Sequence, residues 1–159
     1  MNDPGLFDPT INDLQESVPE FQPVYDQHIV LYEYPLPHIL FGELFDFAQQ
    51  TYAEMIASPE TGSKRADILK RIFDFIERCV SSDEVRINTV PILSFLNLLR
   101  PDEPKIDVSD PKLRTIMMNL RTVGRERRSV GTPNPAYLYF RNLLGPASLR
   151  EWKNYTGCS

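Results

Sequence analysis

The chain has 159 residues, 42% of them apolar, with a formal net charge of −5. That length and composition fit a globular domain with a core of its own and exclude a disordered tract. No apolar run reaches the roughly 18 residues a membrane-spanning helix needs. Met1–Gly5 carries neither basic residues nor an apolar stretch of the secretory type, so the cytoplasm is the expected location.

Residues 1–8 read as a loose lead-in and residues 9–157 as a single helical domain. Asp8-Pro9-Thr10 offers an N-cap and a proline at the first helical position, and Ile11, Leu14 and Val18 share a face up to Pro19. Residues 19–36 are punctuated by Pro19, Pro23 and Pro35. Their apolar run Ile29–Tyr32 suits a strand or a helical turn, and with no second strand candidate to pair with, helix or irregular structure is expected. From Pro37 to Ala57 the spacing predicts a helix, with Phe41, Leu44, Phe45, Ala48, Tyr52 and Met55 on one side and Glu43, Asp46, Gln50 and Glu54 on the other.

After a turn at residues 58–62, a helix is predicted over Lys64–Val80. Leu69, Ile72, Phe73, Ile76, Cys79 and Val80 face inward, and Asp67–Arg71 and Asp74–Arg78 form four-apart ion pairs outside. Ser81–Glu84 supplies an N-cap with acidic residues in the first turn for the next helix. That helix runs to Leu99 with a kink or restart at Pro91. Asp110-Pro111 opens a further helix through Val123, with Gly124 as its C-cap, and a basic loop follows from Arg125 to Pro135. Two short helices, residues 135–144 and 146–155, flank Gly145. The expected fold is all-α: six or seven helices in one orthogonal or HEAT-like bundle around an αα-hairpin at residues 64–99.

Little here suits catalysis. Only His28 and His38 supply imidazole, Asp26 and His28 would not share a helical face, and no Gly-rich phosphate loop or nucleophile motif occurs. There is no Cys-x-x-Cys. Cys79 reads as a buried structural thiol and Cys158 as a tail thiol, so neither a metal site nor a cofactor is expected. Glu43 and Asp46 share a face and could mimic an acid–base pair, but a solvated helical face explains them better. The chain is expected not to be an enzyme.

The charges are unevenly spread. Met1–Ser63 holds eleven acidic residues and no Lys or Arg, whereas all seventeen basic residues and the other eleven acidic ones follow. Arg121, Arg125, Arg127 and Arg128, with Arg114 before them, could bind phosphate. A sequence pI of about 5.1 opposes long-range attraction to a polyanion, so nucleic acid is not the expected partner and neutralisation of the acidic first third is the plainer role. The acidic residues of 37–57 have no basic neighbour at helical spacing. They must pair elsewhere in the fold, face water, or meet a basic protein, for which Tyr32, Tyr34 and Tyr52 could be aromatic anchors.

Within Ile68–Leu99, Phe73, Phe75, Ile76, Glu77, Ser82, Asp83, Val85, Ser94, Phe95, Leu96 and Leu99 form the pattern Phe-x-Phe-Ile-Glu, a Ser-Asp turn, a Val, then Ser-Phe-Leu-x-x-Leu. This resembles the helical-hairpin stretch of small bacterial immunity proteins of polymorphic and contact-dependent toxin systems. The stretch is about a fifth of the chain, consists mainly of core positions, and departs from the family at Pro91. The resemblance implies a protein that binds a cognate toxin domain, often a nuclease, and occludes its active site or substrate groove. Glu33, Glu43, Asp46, Glu54 and Tyr52 are the expected contact residues, and the expected partner is a basic toxin protein rather than a membrane. The alternative is a helical regulatory or adaptor domain contacting nucleic acid through Arg121–Arg128.

Overall fold

The computed structural model describes residues 5–101 and 134–158. The expected helix over Asp110–Val123, its Gly124 cap and the arginines at 114, 121, 125, 127 and 128 lie outside the described residues. The described residues are all-helical, as the sequence leads one to expect, with seven α-helices and three single 3-10 turns. The helices are α1 (Asp8–Ser17), α2 (Gln22–Tyr32), α3 (Pro37–Ala57), α4 (Gly62–Val80), α5 (Val85–Ser94), α6 (Tyr137–Arg141) and α7 (Pro146–Thr156).

Helices α3, α4 and α5 pack on one another as the centre, α3 against α4 most extensively. The expected inward residues of α4 are all buried, and Phe75 joins them because its ring meets Phe41 of α3 at 5.8 Å. Phe45, Phe73, Phe95 and Phe140 stack edge-on or tilted with centroids 5.1–6.0 Å apart, joining α3, α4, the end of α5 and α6. Such pairs add to the area burial that dominates the core. Trp152 of α7 is fully buried, and its indole N–H donates to the Leu99 carbonyl at 2.8 Å.

Four local expectations are corrected. Asp8 is not an N-cap: Phe7 holds that position without a side-chain bond, and Asp8 sits in the first turn, where a carboxylate favours the helix dipole. At α5 Glu84 is itself the N-cap, accepting from the Arg86 N–H, and the first turn holds no acid. The long second arm of the hairpin does not run to Leu99. Helix α5 passes through Pro91, ends at Ser94, and turns at Phe95 (φ −128°, ψ −64°) into a 3-10 turn at Leu96–Leu98. That break lets the Phe95 ring enter the aromatic cluster. Finally, Arg71 does pair with Asp67, but Arg78 reaches across to Asp13 of α1 instead of closing a pair with Asp74.

Residues 19–36 resolve into a 3-10 turn at Pro19–Phe21 and helix α2. Helix α2 ends at Glu33, which takes the left-handed conformation (φ 71°) while its N–H closes on the Ile29 carbonyl at 2.8 Å. Among the described residues it is the only non-glycine with positive φ.

Candidate interaction surfaces

The five expected contact residues do not form one exposed stripe. Glu43 of α3 is half-buried and bound to His28 of α2, Nδ1 to Oε1 at 2.5 Å. His28 is fully buried, and its Nε2 accepts the Leu36 N–H at 3.0 Å. An Nε2 that accepts leaves the ring proton on Nδ1, so the imidazole donates to the Glu43 carboxylate. One side chain thus ties α2, the following turn and α3 together. Both ring nitrogens are committed, which leaves His28 no lone pair for base chemistry. His38 is exposed, with Nδ1 at 2.6 Å from the Ser94 hydroxyl.

Asp46 is half-buried, one of its carboxylate oxygens out of reach of water. Tyr52 is also half-buried, packed on Tyr139 and Phe140 at centroid distances of 5.4 and 5.9 Å. Its ring area is therefore largely spent inside the molecule. Glu54 is about half exposed and pairs with Arg65 Nε at 3.2 Å. Glu33 stands exposed at the end of α2.

Between α3 and α4 lies a groove of about 720 Å³. Phe47 and Ile68 contribute apolar lining, and Glu20, Glu54, Asp67, Lys64, Arg65 and Arg71 the charges. Most of those charges are already matched. The Arg71 fork grips both Glu20 oxygens at 2.8 and 2.7 Å while its Nε holds Asp67 at 2.8 Å. That bidentate grip holds the Glu20 carboxyl below its ordinary value. Arg78 does the same for Asp13 at 3.0 and 2.9 Å; burial raises Asp13, but the Arg78 and Ser17 hydrogen bonds outweigh it and the net shift is downward. Helix α4 therefore supplies the cations that neutralise Asp13, Glu20 and Glu54, a role the sequence had assigned to the later arginines.

A carboxylate that sequence reasoning gave no role is Glu77. It accepts from the N–H groups of Ala147 and Ser148 and from the Ser148 hydroxyl at 3.0, 2.9 and 2.7 Å, capping α7 from a neighbouring helix. Burial raises this carboxyl, and the three donors bring it below its ordinary value. Gly145 makes room for the cap, because a Cβ there would lie 2.4 Å from the Glu77 carboxyl carbon. The signal was present as a Gly-Pro helix start, but nothing local names a partner 70 residues away.

Cys79 is buried and its thiol is pushed up to about 12 by that burial, so it is not a ready nucleophile. Among the described residues no three His, Cys, Asp or Glu side chains converge as a metal-binding group, and no helix is long and apolar enough to cross a membrane. No protein-family model, curated protein or solved structure matches the chain.

Proposed function

We propose that the chain is an immunity-type inhibitor, a protein-binding domain that neutralises a basic cognate toxin domain, of nuclease character, by steric and electrostatic occlusion. The observation that carries the reading is the one-signed surface of its first third. Asp13, Glu20, Glu43 and Glu54 are matched inside the fold, but Asp8, Glu16, Asp26, Glu33 and Glu60 are exposed without an ion-pair partner among the described residues. Those carboxylates face water in a stretch that offers no Lys or Arg of its own. A positively charged substrate groove is the complementary surface, and such complementarity gives fast and selective association. The reading involves no catalysis, in keeping with a fully committed His28 and a buried Cys79.

The test is co-expression with the product of the adjacent coding sequence, followed by size-exclusion chromatography. A one-to-one complex and relief of growth arrest caused by that product are expected. Absence of both would overturn the proposal.

A further inference from the structure

Helix α2 has an outward face that nothing in the described fold explains. At helical spacing it presents Pro23, Asp26, Gln27, Val30 and Leu31 to solvent. Asp26 and Gln27 make the middle of that face polar, and Val30 and Leu31 make its end apolar. Val30 is 75% and Leu31 61% exposed, Tyr34 follows at 62%, and Ile39 stands 40% exposed in the first turn of α3 across the Glu33–Leu36 turn. Single exposed apolar residues are ordinary. Four within residues 30–39, at the end of α2, in the turn and at the start of α3, are a local concentration of exposed apolar side chains, and apolar surface rimmed by polar groups marks interaction sites.

The corner is held in place before any partner arrives. The His28–Glu43 contact and the Leu36 N–H fix the turn, so little ordering is left to oppose binding. Glu33, in the left-handed conformation that glycine would adopt at less cost, keeps a carboxylate beside the apolar residues.

Charge decides between occupants. The polar rim is Asp26 and Glu33, in a stretch without Lys or Arg. A second copy would set carboxylate against carboxylate, whereas a segment carrying Lys or Arg around an apolar anchor satisfies both features. We infer that the corner formed by Val30, Leu31, Tyr34 and Ile39 is the docking surface for a basic protein segment that seats an apolar side chain there and places its cations on Asp26 and Glu33. This rests on the protein-binding reading above and moves the contact from the acidic residues of α3 to the end of α2.

The full chain is titrated, by fluorescence anisotropy, with a labelled amphipathic helical peptide carrying Leu along one face and Arg beside it, and with versions carrying Gln or Glu in place of Arg. The Arg peptide is expected to bind more tightly than the other two, Leu31→Asp to weaken it by about tenfold or more, and Glu33→Gln by a smaller factor. Leu31 is exposed, so circular dichroism is expected to be unchanged in both variants. Equal binding of the Gln peptide, or indifference to Leu31→Asp, overturns the inference. So does a dimer in sedimentation velocity that Leu31→Asp dissolves, which would make the occupant a second copy. A rise of about tenfold in peptide affinity on replacing the arginines at 121, 125, 127 and 128 by Ser would place the chain's own basic stretch on the corner and overturn it too. The product of the adjacent coding sequence separates the two claims. If it binds but ignores Leu31→Asp, the docking surface is wrong and the inhibitor reading stands. If it does not bind while the Arg peptide still depends on Leu31, the inhibitor reading falls and the docking surface stands.

Discussion

Helix α4 turns Lys64, Asp67, Lys70, Asp74 and Arg78 to solvent and buries Leu69, Ile72, Phe73, Phe75, Ile76, Cys79 and Val80. Helix α2 buries only His28 and leaves Val30 and Leu31 in water. Both are surface helices, but one spends its apolar residues on the core and the other keeps part of them outside. A helix anchored by seven side chains defines the fold. One held by a single fully buried imidazole, with Val24 and Tyr25 only partly buried against the core, can spend its outer face on something else.

The sharpest way to break this contrast is to remove an anchor from each helix. Phe73→Ala takes a ring out of the four-phenylalanine cluster and is expected to cost about 3–5 kcal/mol in denaturant unfolding. His28→Ala removes two hydrogen bonds, one to a carboxylate, and leaves Glu43 half-buried without its donor; about 2–3 kcal/mol is expected. Hydrogen exchange refines that second figure. Protection should fall in the amides of α2 and stay high in α4. Equal losses in both helices would show that α2 is not the separately held element described above.

A smaller effect tests the tie between α4 and α7. Glu77→Ala leaves two N–H groups and a hydroxyl at the start of α7 without their acceptor, costing about 1–3 kcal/mol. Gly145→Ala displaces the same carboxylate, so the double variant should cost clearly less than the sum of the singles. Additive losses in thermal melts would mean the two residues do not share one cap.

Acid should act on the same side of the comparison and more gently. Asp13, Glu20 and Glu77 all have carboxyls held below their ordinary values of 3.8, 4.5 and 4.5. A depressed folded value means the stabilisation is complete above the ordinary value and is lost as pH falls through the folded one. All three carboxylates belong to α4 or bind it, so stability should decline below about pH 4.5 as α4 loosens from α1, the Pro19–Phe21 turn and α7. Melting curves that stay flat from pH 5 to pH 3 would contradict this.

The sequence made α3 and α4 legible because their apolar residues recur at helical spacing over some twenty residues each. Along α2 the apolar residues point both ways, so the run Ile29–Tyr32 suits a strand as well as a helical turn by pattern alone, and only the lack of a second strand to pair with favours the helix that is found. The end of α5 departs from the expected helix to Leu99 for a related reason. A stretch that is apolar all round carries no periodicity with which to mark the break at Phe95. The acidic residues of α3 look like a single exposed stripe because spacing alone cannot see the imidazole of His28 on Glu43 or the Arg65 guanidinium on Glu54. Reversing Glu43 to Lys, the obvious probe of that stripe, would therefore also break the His28 contact and confuse binding with folding.

The most direct test of the account sets the outer faces of the two helices against each other. Affinity for the product of the adjacent coding sequence is measured by calorimetry for the unaltered chain, for Leu31→Asp on α2 and for Asp74→Lys on α4. The account predicts a complex that Leu31→Asp weakens by about tenfold or more and that Asp74→Lys changes by less than about threefold. A complex sensitive to Asp74 and indifferent to Leu31 would contradict it, and so would no complex at all.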